Sequence, residues 1–140
     1  MSRFVLDNTV TMARCFTEES TEFTKALLSR LSNLTDQAVV PVLWLYEVAN
    51  VIELAVRKGR IPQEAALAFL ESLSDLPIEV ENPSRMQVLV TVRALAGQYQ
   101  LSGYDAAYLE LAIRRRLPIA SLDKALSRAA RAAGLLNALA

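Results

Sequence analysis

The sequence predicts a single α/β domain of 140 residues, in which helices cover both faces of a parallel sheet. Two observations favour this class. Short apolar runs alternate with helical patterns along the chain, as strand–helix–strand units require. The run at residues 38–41 is also continuous, which is typical of strands that are buried on both faces. The length suits one hydrophobic core, and the chain contains no linker or internal repeat.

Four short apolar runs are predicted to form the strands. The first stops at Asp7 and the second at Pro41. A fifth strand near Leu135 and Leu136 is indicated only weakly. The four predicted strands cover residues 4–6, 38–41, 78–80 and 117–121.

The predicted helices begin at capping residues or at prolines. Asp7, Ser102 and Asp123 are cap-forming residues, and Pro62 and Pro83 suit the first turn of a helix. One helix is therefore expected just after Asp7 and another from Asp123 onward. The remaining helices are expected at about residues 19–31, 43–58, 62–74, 83–97 and 102–116.

The residue inventory restricts the possible chemistry. The chain has no histidine and one cysteine, Cys15, which we expect to be a small buried side chain. This excludes histidine-based nucleophilic catalysis, an internal disulfide and a cysteine-rich zinc site. An enzyme of this composition has carboxylates and a metal ion as its natural tools.

Hydrophobic residues make up 53% of the chain, so we expect some apolar helix surface to be buried in a two-fold homodimer. Residues 57–73 or the helix that starts at Pro83 are the predicted contributors. No apolar run reaches the roughly 18 residues of a membrane span. The acid at position 7 also argues against a signal peptide. We therefore expect a cytoplasmic protein.

Charge is distributed unevenly although the net charge is zero. Residues 1–83 carry 7 basic and 12 acidic side chains, whereas residues 111–140 carry 6 basic and 1 acidic. The basic end could form a phosphate-contacting rim or simply solvated helix faces, and the sequence alone favours the second interpretation. Its basic residues are Arg114, Arg115, Arg116, Lys124, Arg128 and Arg131.

Four acidic residues are expected to meet at one end of the sheet. In open parallel sheets, ligands bind beyond the carboxyl ends of the strands, where the strand order reverses. Asp7 and Asp123 directly follow predicted strands. Glu47 falls early in the helix after the second strand, and Asp105 near the start of the helix before the fourth. Each acid alone could instead be a helix cap or a first-turn carboxylate.

Several carboxylates in one cleft repel each other unless they are protonated or bridged by cations. Hard oxygen ligands suit Mg²⁺ or Mn²⁺. Such ions can lower the pKa of water, orient it for in-line attack and stabilise a leaving oxygen. The four acids therefore predict metal-dependent hydrolysis of phosphodiester bonds without histidine.

The same residues resemble the four motifs of the PIN-domain family. Residues 4–9 (FVLDNT) resemble the opening motif, and residues 41–50 (PVLWLYEVAN) resemble the second. Residues 101–112 (LSGYDAAYLELA) and 121–126 (SLDKAL) are similar to the third and fourth, which are the most specific. Because the motifs occur in order along the whole chain, residues 1–140 are expected to form one PIN domain.

In its compact size, the chain most resembles the VapC toxins of toxin–antitoxin pairs. This resemblance implies a sheet of order 3-2-1-4-5, Mg²⁺- or Mn²⁺-dependent endoribonuclease activity, a homodimer and an inhibitory VapB-like antitoxin. It makes the four acids the metal ligands and catalytic residues. Thr9 and Ser121 match small hydroxyl residues that support the first acid and the substrate phosphate, and Asn50 is a supporting candidate.

The sequence departs from the family pattern in places. Asn8 replaces a small residue, and Arg14 and Cys15 stand where an Ala-Trp pair is common. Neither departure removes a predicted metal ligand. Glu110, five residues after Asp105, is expected at the surface rather than as a further acid of the site.

Three other functions make different demands on the sequence. A catalytically silent interaction module would not need all four acids. A phospho-receiver domain needs an adjacent acidic pair after the first strand, whereas Asp7 is followed by Asn8 and Thr9. A DNA nuclease on the same fold stays open, because no side chain that recognises a 2′-hydroxyl is identifiable.

Overall fold

Strands and helices alternate along the chain in a computed structural model that describes residues 2–139. The strands are β1 (Ser2–Leu6), β2 (Asp36–Pro41), β3 (Ile78–Glu81) and β4 (Ile119–Ala120). The helices are α1 (Asn8–Cys15), α2 (Glu22–Ser32), α3 (Leu43–Arg57), α4 (Gln63–Ser74), α5 (Arg93–Tyr99), α6 (Gly103–Arg115) and α7 (Lys124–Ala132). Within residues 2–139, no helix is long and apolar enough to cross a membrane.

All strand pairs are parallel, and their order is β3-β2-β1-β4. Three consecutive residues of β1, Phe4, Val5 and Leu6, are at most 2% exposed. Because successive side chains of a strand point to opposite faces, both faces of the sheet are covered. The predicted α/β class with a helix-flanked parallel sheet is confirmed.

The strand order reverses between β1 and β4. The chain adds β2 and β3 on one side of β1 and then returns to place β4 on the other side. The crevice at this reversal lies beyond the carboxyl ends of β1 and β4. The residues that directly follow these strands are therefore placed side by side.

The predicted fifth strand is wrong, because it is reduced to a single parallel bridge between Ile119 and Asn137. The Ile119 amide donates to the Leu136 carbonyl at 3.1 Å, and the Ala138 amide donates to the Ile119 carbonyl at 2.9 Å. The Asn137 side chain accepts from the Leu139 amide at 2.9 Å. This local bond turns the backbone away from a ladder. The partner strand β4 has only two residues, too few to extend the pairing.

The helix predicted over residues 83–97 forms with an irregularity that the sequence did not predict. Residues 87–92 are π-helical and lead directly into α5. A helical hydrophobic pattern does not distinguish this wider turn from an α-helix. The segment exposes a group of apolar side chains, Met86, Val88, Leu89 and Val90.

Candidate active site

Asp7 is held rigidly at the carboxyl end of β1. The residue is 4% exposed, and its Oδ1 accepts a hydrogen bond from the Asn8 amide at 2.7 Å. Its Oδ2 accepts from Thr9 Oγ1 at 2.8 Å and from Ser121 Oγ at 2.6 Å. Thr9 Oγ1 in turn accepts from the Leu122 amide at 2.9 Å. The two predicted hydroxyl residues thus join the end of β1 to the segment after β4.

Asp123 stands on the other side of the strand reversal and caps α7. Its Oδ1 accepts from the amides of Ala125 and Leu126 at 2.8 and 3.1 Å. The Asp123 amide donates to Ser121 Oγ at 3.0 Å. Asp7 and Asp123 are therefore helix caps and also neighbours in space, so the simpler interpretation of each acid does not exclude the site.

Glu47 and Asp105 complete the group from the helices. Glu47 lies in the second turn of α3 and Asp105 in the first turn of α6, where its amide donates to Ser102 Oγ at 3.0 Å. The negative charges of Asp7 and Asp105 act on Glu47, and those of Asp123 and Asp7 act on Asp105. The structure thus brings the four predicted acids together at one end of the sheet.

Tyr108 is a site residue that the sequence analysis missed. It is fully buried on α6, and its hydroxyl donates to Glu47 Oε1 on α3. Burial, the bond to Glu47 and the nearby carboxylates raise the pKa of Tyr108 far above its usual range, so it stays a donor. Its spacing of three residues from Asp105 places both on one face of α6, and this spacing was the available signal.

Asn50 is the predicted residue that the structure does not connect to the group. It lies one turn beyond Glu47 on α3, where it is exposed. Within residues 2–139, its side chain makes no hydrogen bond to the protein. Beside Asp7, the Asn8 side chain has a buried Oδ1 without a hydrogen-bond partner in the described chain. Neither side-chain amide forms a hydrogen bond with an acid of the group.

The pKa values of three of the acids are raised, mainly by burial. Burial dominates for Asp7, although the bonds from Ser121, Thr9 and Asn8 oppose it. Burial and the charges of neighbouring acids raise the pKa of Glu47 and of Asp105. In Glu47 the hydrogen bond from Tyr108 opposes the shift. The acids of the site therefore lack nearby positive charge that would stabilise their ionised forms.

These shifts predict that the metal-free protein loses stability as the pH rises. Each of the three carboxyls binds its proton more tightly when folded, so its contribution disappears as the pH rises through the raised pKa, above the ordinary 3.8 of Asp and 4.5 of Glu. Thermal melting in EDTA should show a melting temperature that falls from mildly acidic to neutral pH. Asp105→Asn should make the fall shallower. A melting temperature that rises steadily over this range would contradict the expected sign.

The donor chemistry of the group fits a hard divalent cation. All of its ligand atoms are oxygens, which Mg²⁺ and Mn²⁺ prefer. Within residues 2–139, no three Asp, Glu, Cys or His side chains form a ready-made cage for one ion. Mg²⁺ often binds through only one or two carboxylates and keeps its waters. The acids therefore suit an ion that is held partly through water and substrate.

Two arginines of the basic end, Arg114 and Arg115, are paired with glutamates. Arg114 does not face solvent freely, because its Nε donates to Glu110 at 2.7 Å and it also pairs with Glu81. Arg115 pairs with Glu79 and with Glu81. Glu110 is 4% exposed, so the prediction of a surface position for it is wrong. Its burial is possible because α6 itself supplies a cation one turn later.

Comparison with known proteins agrees with the motif analysis. The family model described as "PIN domain" matches residues 4–132. Comparison with curated protein sequences finds no match.

Solved structures show the same fold at low sequence identity. A Pyrobaculum aerophilum protein has a TM-score of 0.73 at 20% identity, over 98% of this chain and 84% of that one. VapBC2 of Rickettsia felis, bound to a DNA fragment from its promoter, gives 0.66 at 12% identity, with 96% of each chain covered. FitAcB of Neisseria gonorrhoeae gives 0.64 at 14% identity, over 96% of this chain and 95% of that one. At such identities the likeness establishes the fold alone.

Proposed function

Because this chain belongs to the PIN-domain family, we propose that it is a divalent-metal-dependent endoribonuclease and the toxin of a VapBC-type pair. The observation that carries this proposal is the meeting of Asp7, Glu47, Asp105 and Asp123 beyond the strand reversal. An interaction module would have no use for four carboxylates whose mutual repulsion destabilises the fold.

The four acids would bind the metal and orient the attacking water. They are Asp7, Glu47, Asp105 and Asp123. A bound Mg²⁺ or Mn²⁺ would acidify that water and neutralise charge on the phosphate and the leaving oxygen.

The hydroxyl residues support the first acid. Thr9 and Ser121 fix Asp7 by their hydrogen bonds, which keeps both of its oxygens in place. Ser121 directly follows β4, where its hydroxyl donates to Asp7 and accepts from the Asp123 amide. Tyr108 fixes Glu47 in the same manner. Asn50 is proposed as a substrate contact because it is exposed one turn beyond Glu47.

The test is cleavage of matched single-stranded oligonucleotides by the chelator-treated protein. We expect the RNA to be cut after Mg²⁺ or Mn²⁺ is added and to stay intact in EDTA. The DNA of the same sequence should be cut far more slowly. Equal cleavage of both would identify a DNA-competent nuclease instead, and cleavage of neither would favour the interaction module. Asp75→Asn, at an exposed position outside the site, is the control.

We also propose an antitoxin partner of the VapB type. Its support is the likeness to a VapBC complex and to FitAcB, together with the charge of the site. An arginine can donate two parallel hydrogen bonds to a carboxylate, so a partner segment carrying one would suit the acids. Apolar residues of that partner segment would bind the groove between α3 and α4, which is lined by Trp44, Val48, Leu70 and Leu73.

This partner and the metal should compete. Because both neutralise the same carboxylates, the affinity of the antitoxin's inhibitory peptide should fall as Mn²⁺ is raised, and Mn²⁺ affinity should fall equally in its presence. Calorimetric titration of the peptide across a Mn²⁺ series measures both. A peptide without its Arg or Lys is the control, and its affinity should not respond to metal. If the affinity of the full peptide does not change with Mn²⁺ concentration, the inhibitor binds elsewhere on the surface.

A two-fold homodimer is the third part of the proposal. Met86, Val88, Leu89 and Val90 are 63, 42, 62 and 52% exposed on one helical segment, more apolar surface than a monomer usually shows. Residues 57–73 contribute the exposed Leu67 and Leu70 as the alternative interface.

Light scattering is expected to give the dimer mass at micromolar concentration. Leu89→Glu should shift the mass towards the monomer, whereas Leu67→Glu should not if the helix after Pro83 forms the interface. A monomer mass for the wild-type chain would contradict the dimer.

A further inference from the structure

One face of α7 carries three cations that the proposed chemistry does not use. Lys124, Arg128 and Arg131 are spaced four and three residues apart, so they lie on the same side of the helix. All three are exposed, whereas Leu126 and Ala129 on the other side are buried in the core. We call these three residues the α7 cationic face.

Ion pairing distinguishes this face from two other arginines of the basic region, Arg114 and Arg115. Arg114 and Arg115 are occupied by glutamates of α6 and β3. Within residues 2–139, by contrast, no acidic side chain forms an ion pair with Lys124, Arg128 or Arg131. The positive charge of this face is therefore available to a ligand.

The face is not explained by the stability of the helix. Lys124 is the first residue of α7, where the helix dipole disfavours a cation. Arg128 follows Lys124 by four residues and precedes Arg131 by three, and like charges at both spacings repel. These costs are small, and of the three cations only Arg131, in the last turn of α7, gains from the helix dipole. Binding of an anionic ligand therefore accounts for the two further cations on this face better than the stability of α7 does.

The position of the α7 cationic face next to the candidate active site favours a role in binding the substrate. The residue before Lys124 is Asp123, an acid of the candidate active site, so the face begins where the site ends. Lys124 and Arg131 are seven positions apart, which is about 10 Å along the helix and long enough to pass more than one phosphate of a strand. Arg128 also lines a cleft with the amide side chains of Gln98 and Gln100, which can donate to phosphate or base oxygens.

We propose that the α7 cationic face binds the phosphodiester backbone of single-stranded RNA beside the bond that is cut. This inference rests on the proposed function. It identifies the surface over which the bound RNA strand extends away from the active-site acids. The contacts are to phosphates, so they supply affinity without base preference. They also offset the repulsion between the acidic site and the RNA.

The test compares two triple variants that remove equal charge. Lys124→Gln/Arg128→Gln/Arg131→Gln neutralises the face, and Lys25→Gln/Lys58→Gln/Arg85→Gln neutralises exposed cations elsewhere. Both are made in an Asp105→Asn background, so that the RNA stays intact with Mn²⁺ present. Fluorescence anisotropy of a labelled single-stranded RNA is then measured over a salt series.

Neutralising the face should lower the slope of log affinity against log salt by about 2, since each phosphate contact on single strands contributes about 0.7. Affinity at the lowest salt should fall about tenfold or more. The control triple should keep the parent slope. The melting temperature of the face variant should be unchanged or higher, which a merely structural role of these residues would not produce.

The contrary outcomes separate this inference from the proposed function. If the parent binds RNA and the face variant keeps its affinity and slope, the inference is overturned while the nuclease proposal stands. A larger loss for duplex DNA than for RNA would make the face a DNA-binding surface and would also overturn it. If the unmodified chain neither binds nor cuts RNA, both proposals fail.

Discussion

Asp105→Asn is expected to reduce RNA cleavage by about 10³-fold, the scale seen when a group that acts on transition-state charge is removed. The amide keeps the size of the side chain but removes the charge of one proposed metal ligand. The half-buried carboxyl of Asp105 lies near the charges of Asp123 and Asp7, so its removal also relieves repulsion. The metal-free variant should therefore melt at the same temperature as the wild type or higher.

The measurement pairs a cleavage assay with thermal melting in EDTA, and Asp75→Asn is the control that should change neither. Asp7→Asn is expected to lose activity as well. It is the poorer probe of stability, because Oδ2 of Asp7 accepts from two hydroxyls and an amide nitrogen would not. Full activity in Asp105→Asn would remove this residue from the proposed site.

Arg114→Leu is expected to destabilise the fold by about 3 kcal/mol, because it leaves a buried glutamate without its cation. The Glu110 side chain is only 5% exposed, and its Oε2 accepts from Arg114 Nε at 2.7 Å. The same substitution also removes a partner of Glu81. Urea unfolding of the metal-free protein measures the loss.

The chain offers a matched control in Arg57→Leu. Arg57 and Glu53 have the same spacing of four residues, but their side chains are 69 and 52% exposed. Their pair should contribute about 0.5 kcal/mol or less. A second test is Glu110→Met/Arg114→Leu, which should recover part of the stability because no buried charge is left at position 110. Equal losses in Arg114→Leu and Arg57→Leu would show that burial of Glu110 does not matter.

The sequence placed the four acids correctly at one end because of a simple property of parallel sheets. Strands that run the same way end at the same edge, so Asp7 and Asp123 needed only the strand boundaries to be brought together. Glu47 and Asp105 needed one further step, the placement of helix starts next to strand ends. Local patterns were sufficient for both steps.

Most of the features that could not be predicted from the sequence depend on contacts between secondary-structure elements. The bond from Tyr108 to Glu47 exists only because α6 lies beside α3. A spacing of four residues allows Glu110 and Arg114 to pair on α6, but burial of Glu110 depends on packing that no local pattern reveals. The fifth strand failed for a local reason instead, since the Asn137 side chain forms a turn where a ladder was expected.

We propose that the four carboxylates bind the divalent metal with which the protein cuts RNA. Calorimetric titration of Mn²⁺ into chelator-treated protein, with RNA cleavage assayed at each metal concentration, tests it most directly. We predict that binding and cleavage follow one saturation curve, and that Asp105→Asn weakens or loses both while Asp75→Asn retains both. Cleavage that persists in EDTA, or Mn²⁺ binding that Asp105→Asn leaves unchanged, would contradict the claim.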